Sequence, residues 1–198
     1  WIALMESAPL SIEGKQAAES LAKVRKSKKL SRAVAKEAVP TKKRTLITYR
    51  AMFAAHQSTR VSQELPKRIR TWKAGSAEWC EAAYLVARSL TKLRDHGASV
   101  PWYRKVIASC KGDQLRNALY NGGKARWNAG DKEGAVAWFQ RLWETFPKHS
   151  YADDAYYFAA RIRREQGKTQ VANQLISEQV KKYPNGDMAA DSSWLRVR

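Results

Sequence analysis

Residues 123–147 read GKARWNAGDKEGAVAWFQRLWETFP, and residues 160–184 read ARIRREQGKTQVANQLISEQVKKYP. Set over one another at an interval of 37 residues, Gly130 falls on Gly167, Ala135 on Ala172, Phe139 on Ile176 and Pro147 on Pro184. Self-similarity at an interval of about 34–47 residues marks stacked helix pairs, because one pair cannot bury its apolar face alone. Each unit reads as helix, short turn, helix, then proline. The turn Asn128-Ala129-Gly130-Asp131 supplies a glycine to end one helix and an aspartate to cap the next. Gln166-Gly167-Lys168-Thr169 repeats the arrangement, with Thr169 expected as the cap.

The order small, small, aromatic, proline at Gly123, Ala135, Phe139 and Pro147 resembles the tetratricopeptide repeat. The second unit offers Ala160, Ala172, Ile176 and Pro184. The resemblance implies an all-α fold, an α-solenoid of superhelical helical hairpins. Small residues let two helices approach, and larger ones fill the space between neighbouring pairs.

Upstream, Glu78 to Arg94 predicts a long amphipathic helix and Trp102 to Cys110 a shorter one, together a degenerate repeat. Thr45–His56 and Arg60–Trp72 predict an earlier pair, with Pro66 kinking or delaying the second helix. Residues 13–38 are helix-prone but charged, with five basic residues from Lys23 to Lys29. The expected division is a basic N-terminal segment, 1–41, and helical repeats over 42–198. A further helix is expected from Met188, cut short at Arg198.

Composition agrees with a helical chain that has a core. Apolar residues make up 44%, while ten glycines and six prolines are too few for a turn-rich β fold. No run approaches the roughly 18 apolar residues of a membrane span. The net charge of +19 is uneven, with 17 Lys and Arg against 5 acids over residues 1–75. Such an excess favours anionic partners without choosing among nucleic acid, membrane surface and cell wall. His56, His96 and His149 stand apart from one another and from the cysteines, so neither a metal site nor a cofactor is expected.

The strings His149-Ser150-Tyr151-Ala152-Asp153-Asp154-Ala155 and Tyr183-Pro184-Asn185-Gly186-Asp187-Met188-Ala189 carry a second likeness. Residues 75–198 resemble the superhelical, non-catalytic region of soluble lytic transglycosylases, which cleave peptidoglycan in the bacterial periplasm. Leu93-Arg94-Asp95-His96 and Ala118-Leu119-Tyr120 fit the same pattern. The resemblance implies a periplasmic scaffold whose catalytic domain is not in this chain. The family's catalytic acid is a Glu-Ser pair with Gly-Leu-Met-Gln downstream. The pair at Glu6-Ser7 lacks that string and precedes the repeats, so no catalytic residue is assigned. A chain opening on Trp1 is read as a processed product, compatible with a removed export signal.

Aligning the first helix of each unit shows an aromatic residue followed four positions later by a cation. The pairs are Tyr84 with Arg88, Tyr120 with Lys124, Tyr157 with Arg161, and Trp194 with Arg198. An i, i+4 pair shares one helix face. Trp127 and Arg164, one turn on, would widen it. Two readings stand. The face is a ladder of rings and cations for peptidoglycan strands or an acidic protein partner, or each ring packs against the next repeat under its cation. Trp138 and Trp143, on a second helix, are expected in packing.

Cys80 opens one predicted helix and Cys110 closes the next, so an antiparallel hairpin would bring them into disulfide range. A bridge there argues for export, since disulfides persist in oxidising compartments. The functions in contention are a peptidoglycan-binding scaffold of a lytic enzyme, a tetratricopeptide adaptor of the cell envelope, and a basic nucleic-acid-binding repeat protein. Cations concentrate outside the repeats and acids interrupt them within, which argues against nucleic acid.

Overall fold

The computed structural model describes residues 42–197 together with Ser11, Gly14, Gln16 and Glu19. The expected segment 1–41 (those four residues apart), its charged stretch 13–38, Glu6 and Arg198 lie outside the described residues.

Among the described residues every regular element is an α-helix. The chain divides into two compact units, Trp1–Leu93 and Arg94–Arg198. The first holds α1 (Lys42–Ala54), α2 (Ser58–Ile69) and α3 (Ala77–Lys92). The second holds α4 (His96–Ser109), α5 (Gly112–Asn128), α6 (Lys132–Thr145), α7 (Ser150–Glu165), α8 (Thr169–Lys182) and α9 (Ala189–Val197). The first-named helices of the repeats are α3, α5, α7 and α9.

Within the first unit α1, α2 and α3 all pack on one another. Leu46, Tyr49, Val61, Leu65, Ile69 and Val86 are its buried core. Two expectations need correction here. The second helix begins at Ser58, before the predicted Arg60, and Pro66 sits inside it without delaying it. A proline forgoes only one intrahelical bond, and the burial of Val61, Leu65 and Ile69 along one face offsets that loss.

In the second unit each helix packs on the next, and α7 also touches α5 and α9. Its first helix starts at His96, not Trp102, because Asp95 caps it by accepting from the Ala98 amide at 3.0 Å. Pro101 therefore lies within the helix. Asp131 caps α6 through the Gly134 amide at 2.9 Å. Thr169 is not a cap: it is the first residue of α8, and Lys168 before it makes no side-chain cap bond.

The turn glycines behave as their position demands. Gly130 has φ +88° and Gly167 +74°, in the left-handed region that only glycine enters freely. The same conformation recurs at His56 (58°) and Arg94 (63°). Positions 56, 94, 130 and 167 thus continue one backbone period into the part of the chain where glycine no longer marks it.

Small residues set the helix spacing. A Cβ added to Gly123 would stand 2.7 Å from Phe139 Cε1, and one on Gly122 2.7 Å from the Trp138 ring. Real Cβ atoms do not approach so closely, so α5 meets α6 only because both positions are glycine. Phe139, Leu142, Tyr156, Ile162 and Ile176 form the buried core beyond that contact.

Polar contacts tie the repeats together at their edges. One oxygen of Glu133 on α6 accepts from Arg163, Gln166 and Lys168 at 2.6, 3.0 and 3.0 Å. Arg163 first, then Lys168 and Gln166, hold its carboxyl down from 4.5 to about 2. The folded value lies below the unfolded one, so this support is present above the ordinary glutamate range and fades as pH falls through about 2. Glu133 is open to solvent, and salt screens what the cluster contributes. A carbon-detected NMR titration of Glu133 should give a midpoint near 2, rising toward ordinary in Arg163→Gln; an ordinary midpoint in the unmodified chain would contradict the cluster.

Neither cysteine is a free thiol. Cys80, buried in the first turn of α3, and Cys110, the capping residue after α4, are both disulfide-bonded.

Candidate binding surface

Three of the four i, i+4 pairs lie wholly among the described residues, and each places its ring and cation together as helical geometry requires. In the first unit the Arg88 guanidinium donates to the Tyr84 hydroxyl at 3.3 Å and also lies over Phe53, 5.8 Å from the ring centre. In the second unit two pairs interlock. Lys124 sits over its own partner Tyr120 at 5.2 Å and over Phe158 of α7 at 4.9 Å. Arg161 sits over its own partner Tyr157 at 5.7 Å and over Trp127 of α5 at 5.1 Å. Each cation therefore joins a ring of its own helix to one of the neighbouring helix. Such contacts contribute about 0.5–1 kcal/mol each near the surface.

Tyr120 and Tyr157 are half-buried, as are Lys124, Trp127 and Arg161. The surface of α5 and α7 thus packs internally and presents ring edges and charge outward at once. Trp127 is held by its indole N–H, which donates to Glu165 at 3.1 Å. Trp194 is 57% exposed on α9. Arg164 faces α9 and donates to the Leu195 carbonyl, so its guanidinium braces two helices. The second-helix tryptophans pack: Trp138 is buried under Arg126, and Trp143 stacks on Tyr156 with centroids 4.1 Å apart.

Three residues of this surface escaped the sequence reading. Tyr151 stacks on Tyr120 with centroids 4.1 Å apart and planes 11° off parallel. Phe158 lies at the centre, touching the rings of Tyr120, Trp127, Phe139 and Tyr157. Asp154, 8% exposed, is paired with the Tyr120 hydroxyl. Burial raises its carboxyl above the usual range, against a hydrogen bond with Tyr120 that favours the charged form. Burial, then Asp154, also raises the Tyr120 hydroxyl. His149, whose ring edge meets Tyr151, is lowered, first by burial and then by Arg116, and its Nδ1 accepts from the Tyr151 amide at 3.1 Å.

Asp153, beside Asp154, faces the other way. Its carboxylate accepts from Gln179 at 2.6 Å and from the Met188 amide at 3.1 Å. A side chain at Gly186 would collide with it. The aspartate of the first quoted string and the glycine of the second are therefore parts of one inter-repeat joint.

No group of three His, Cys, Asp or Glu side chains able to hold a metal ion occurs among the described residues. No helix among them is long and apolar enough to cross a membrane.

Residues 117–149 match the sequence profile of the tetratricopeptide repeat. No curated protein sequence matches the chain. Among solved structures, MamA is similar at a TM-score of 0.63 and 15% identity, covering 88% of this chain and 96% of its own. YrrB, described as a TPR protein with an unusual peptide-binding site, is similar at a TM-score of 0.64 and 16% identity, covering 96% of this chain and 90% of its own. At that identity the likeness is one of fold. The chain is an all-α solenoid of tetratricopeptide-like helical hairpins.

Proposed function

We propose that the chain is a scaffold that binds a protein partner, and that the ring-and-cation face of α5 and α7 receives an extended acidic segment of it. The observation that carries this is the interlocked set Tyr120, Lys124, Trp127, Tyr157, Phe158 and Arg161, half-buried on two neighbouring first helices. Rings supply apolar contact area at low entropic cost, and the two cations supply carboxylate recognition. The overall charge of +19 steers an acidic segment toward the chain. YrrB's description as a peptide-binding TPR protein supports the same mode of use.

A labelled short peptide of alternating glutamate and leucine should bind, and its glutamine and lysine versions should bind at least tenfold more weakly. Tyr157→Ala with Arg161→Ala should weaken the glutamate peptide by roughly 10–100-fold, the range for a lost interface anchor of about 2 kcal/mol or more. Circular dichroism should show unchanged helicity. Equal binding of all three peptides, or an unaffected double variant, would refute the proposal.

A second reading places the chain in the cell envelope as the non-catalytic region of a lytic transglycosylase, with peptidoglycan on the same face. Two disulfide-bonded cysteines favour an oxidising compartment, and stacked rings suit sugar faces. Purified sacculi that retain the chain, and lose it on competition with the glutamate peptide, would support this reading; free passage through sacculi would remove it.

A further inference from the structure

Asparagine followed by glycine is the pair at which a backbone amide most readily attacks the preceding side chain, because glycine has no Cβ to crowd the approach. The chain holds two such pairs, Asn121-Gly122 and Asn185-Gly186. The fold treats them in opposite ways. Asn121-Gly122 lies inside α5, and the Asn121 side chain donates to the Asn117 carbonyl at 3.0 Å. Gly122 is packed so closely that an added Cβ would stand 2.7 Å from the Trp138 ring. Ring closure between these two residues requires α5 itself to open. Asn185-Gly186 lies in the turn between α8 and α9, and Asn185 is exposed.

The turn Tyr183-Pro184-Asn185-Gly186 is closed by the Gly186 amide, which donates to the Tyr183 carbonyl at 3.0 Å. Breaking that bond frees the Gly186 nitrogen without unfolding a helix. Opening an exposed turn costs far less than opening a helix packed in the core. A cleft lined by Lys148, Asn185, Gly186 and Asp187 among others gives water access to the same place.

We infer that Asn185 is a site of spontaneous deamidation, and that its products loosen α9. The Gly186 nitrogen forms a bond to Asn185 Cγ and gives up its proton. The Cγ–Nδ2 bond breaks, and the side-chain nitrogen leaves as ammonia with that proton. Water then opens the cyclic imide at either carbonyl. One opening leaves aspartate at position 185, and the other leaves isoaspartate, in which the chain runs through the side-chain carbon. Water is the only co-reactant.

The consequence follows from the joint beside the turn. A Cβ on Gly186 would collide with the Asp153 carboxylate, and the Met188 amide donates to that carboxylate at 3.1 Å. Isoaspartate adds a methylene to the backbone just before Gly186, where the fit leaves no slack. Both products add a negative charge to a cleft that Asp153 and Asp187 already line. Each change weakens the hold on Met188 and so on α9. The site stands apart from the proposed docking face, so neither depends on the other.

The full chain, held at neutral pH with warming, is followed by peptide mapping with mass spectrometry. The peptide bearing Asn185 should gain the mass difference between an amide and an acid about tenfold faster, or more, than the peptide bearing Asn121. Enzymatic methylation should detect isoaspartate in the first peptide. In the aged chain the Ser192 amide should exchange about tenfold faster, or more, than in the fresh chain. Asn185→Gln closes a larger ring far more slowly, so it should keep both its mass and its Ser192 protection over the same time. No gain at Asn185, an equal gain at Asn121, unchanged Ser192 exchange in the aged chain, or equal loss of protection in aged Asn185→Gln would overturn the inference.

Discussion

Asp153→Ala is expected to destabilise the end of the chain by about 3 kcal/mol and to release α9 before the rest unfolds. The carboxylate accepts from the Gln179 side chain and from the Met188 amide, and Gln179 in turn accepts from the Ser192 hydroxyl. Asp153 is 2% exposed, and Gln179 and Ser192 are fully buried. Removing the carboxylate leaves the buried Gln179 donor and the part-buried Met188 amide without acceptors, at about 1–3 kcal/mol for the buried one and less for the other. Among the described side chains of α9, Ser192 is buried and Leu195 is partly buried against the core, so the joint contributes much of the hold on that helix. In repeat proteins a unit opens locally when its own contacts are lost, so hydrogen exchange should quicken at Ser192 while the Leu119 amide keeps its protection. Asp153→Asn should be intermediate, since it keeps one acceptor and turns a donor toward the other partner. Unchanged exchange at Ser192 in Asp153→Ala would contradict the joint.

Phe139→Ala should cost about 3–5 kcal/mol, the range for a buried aromatic replaced by alanine. Phe139 has no exposed surface, closes over Gly123 and stacks on Phe158 with centroids 5.6 Å apart. The cavity would lie between α5, α6 and α7, beneath the proposed binding surface. Equilibrium urea unfolding reads the loss as a lower midpoint. Gly123→Val tests the same contact from the other side: overpacking against Phe139 should cost about 1–3 kcal/mol. A neutral result for both variants would mean that the small-large match between these helices does not set their spacing.

The repeat was legible where glycine and small residues report on backbone directly. Gly130 and Gly167 occupy left-handed turns, and Gly123 with Phe139 is a close helix contact, as the spacing predicts. The period faded upstream because His56 and Arg94 adopt the same turn conformation with ordinary side chains. The helix expected from Trp102 starts at His96, because Asp95 caps it there and the helix carries Pro101 in its interior. The pairing of Tyr84 with Arg88, Tyr120 with Lys124 and Tyr157 with Arg161 was legible from the i, i+4 spacing. The second ring under each cation was not, because Phe158 and Trp127 come from the neighbouring repeat and local spacing carries no record of them. Asp153 and Asp154 stand side by side in sequence, yet helix geometry turns one into a structural joint and pairs the other with the Tyr120 hydroxyl. Asp153 of the first string that suggested a cell-wall family, and Gly186 and Met188 of the second, belong to that joint.

The face of α5 and α7 is proposed to receive a protein segment. Amide and side-chain NMR shifts of the full chain, recorded on adding the glutamate–leucine peptide, test it most directly. Saturable shifts centred on Lys124, Trp127, Tyr157 and Arg161 are expected, with α6 and the exposed side of α8 around Val171 and Ser177 unmoved. Shifts centred on α8, or none at saturating peptide, would contradict it.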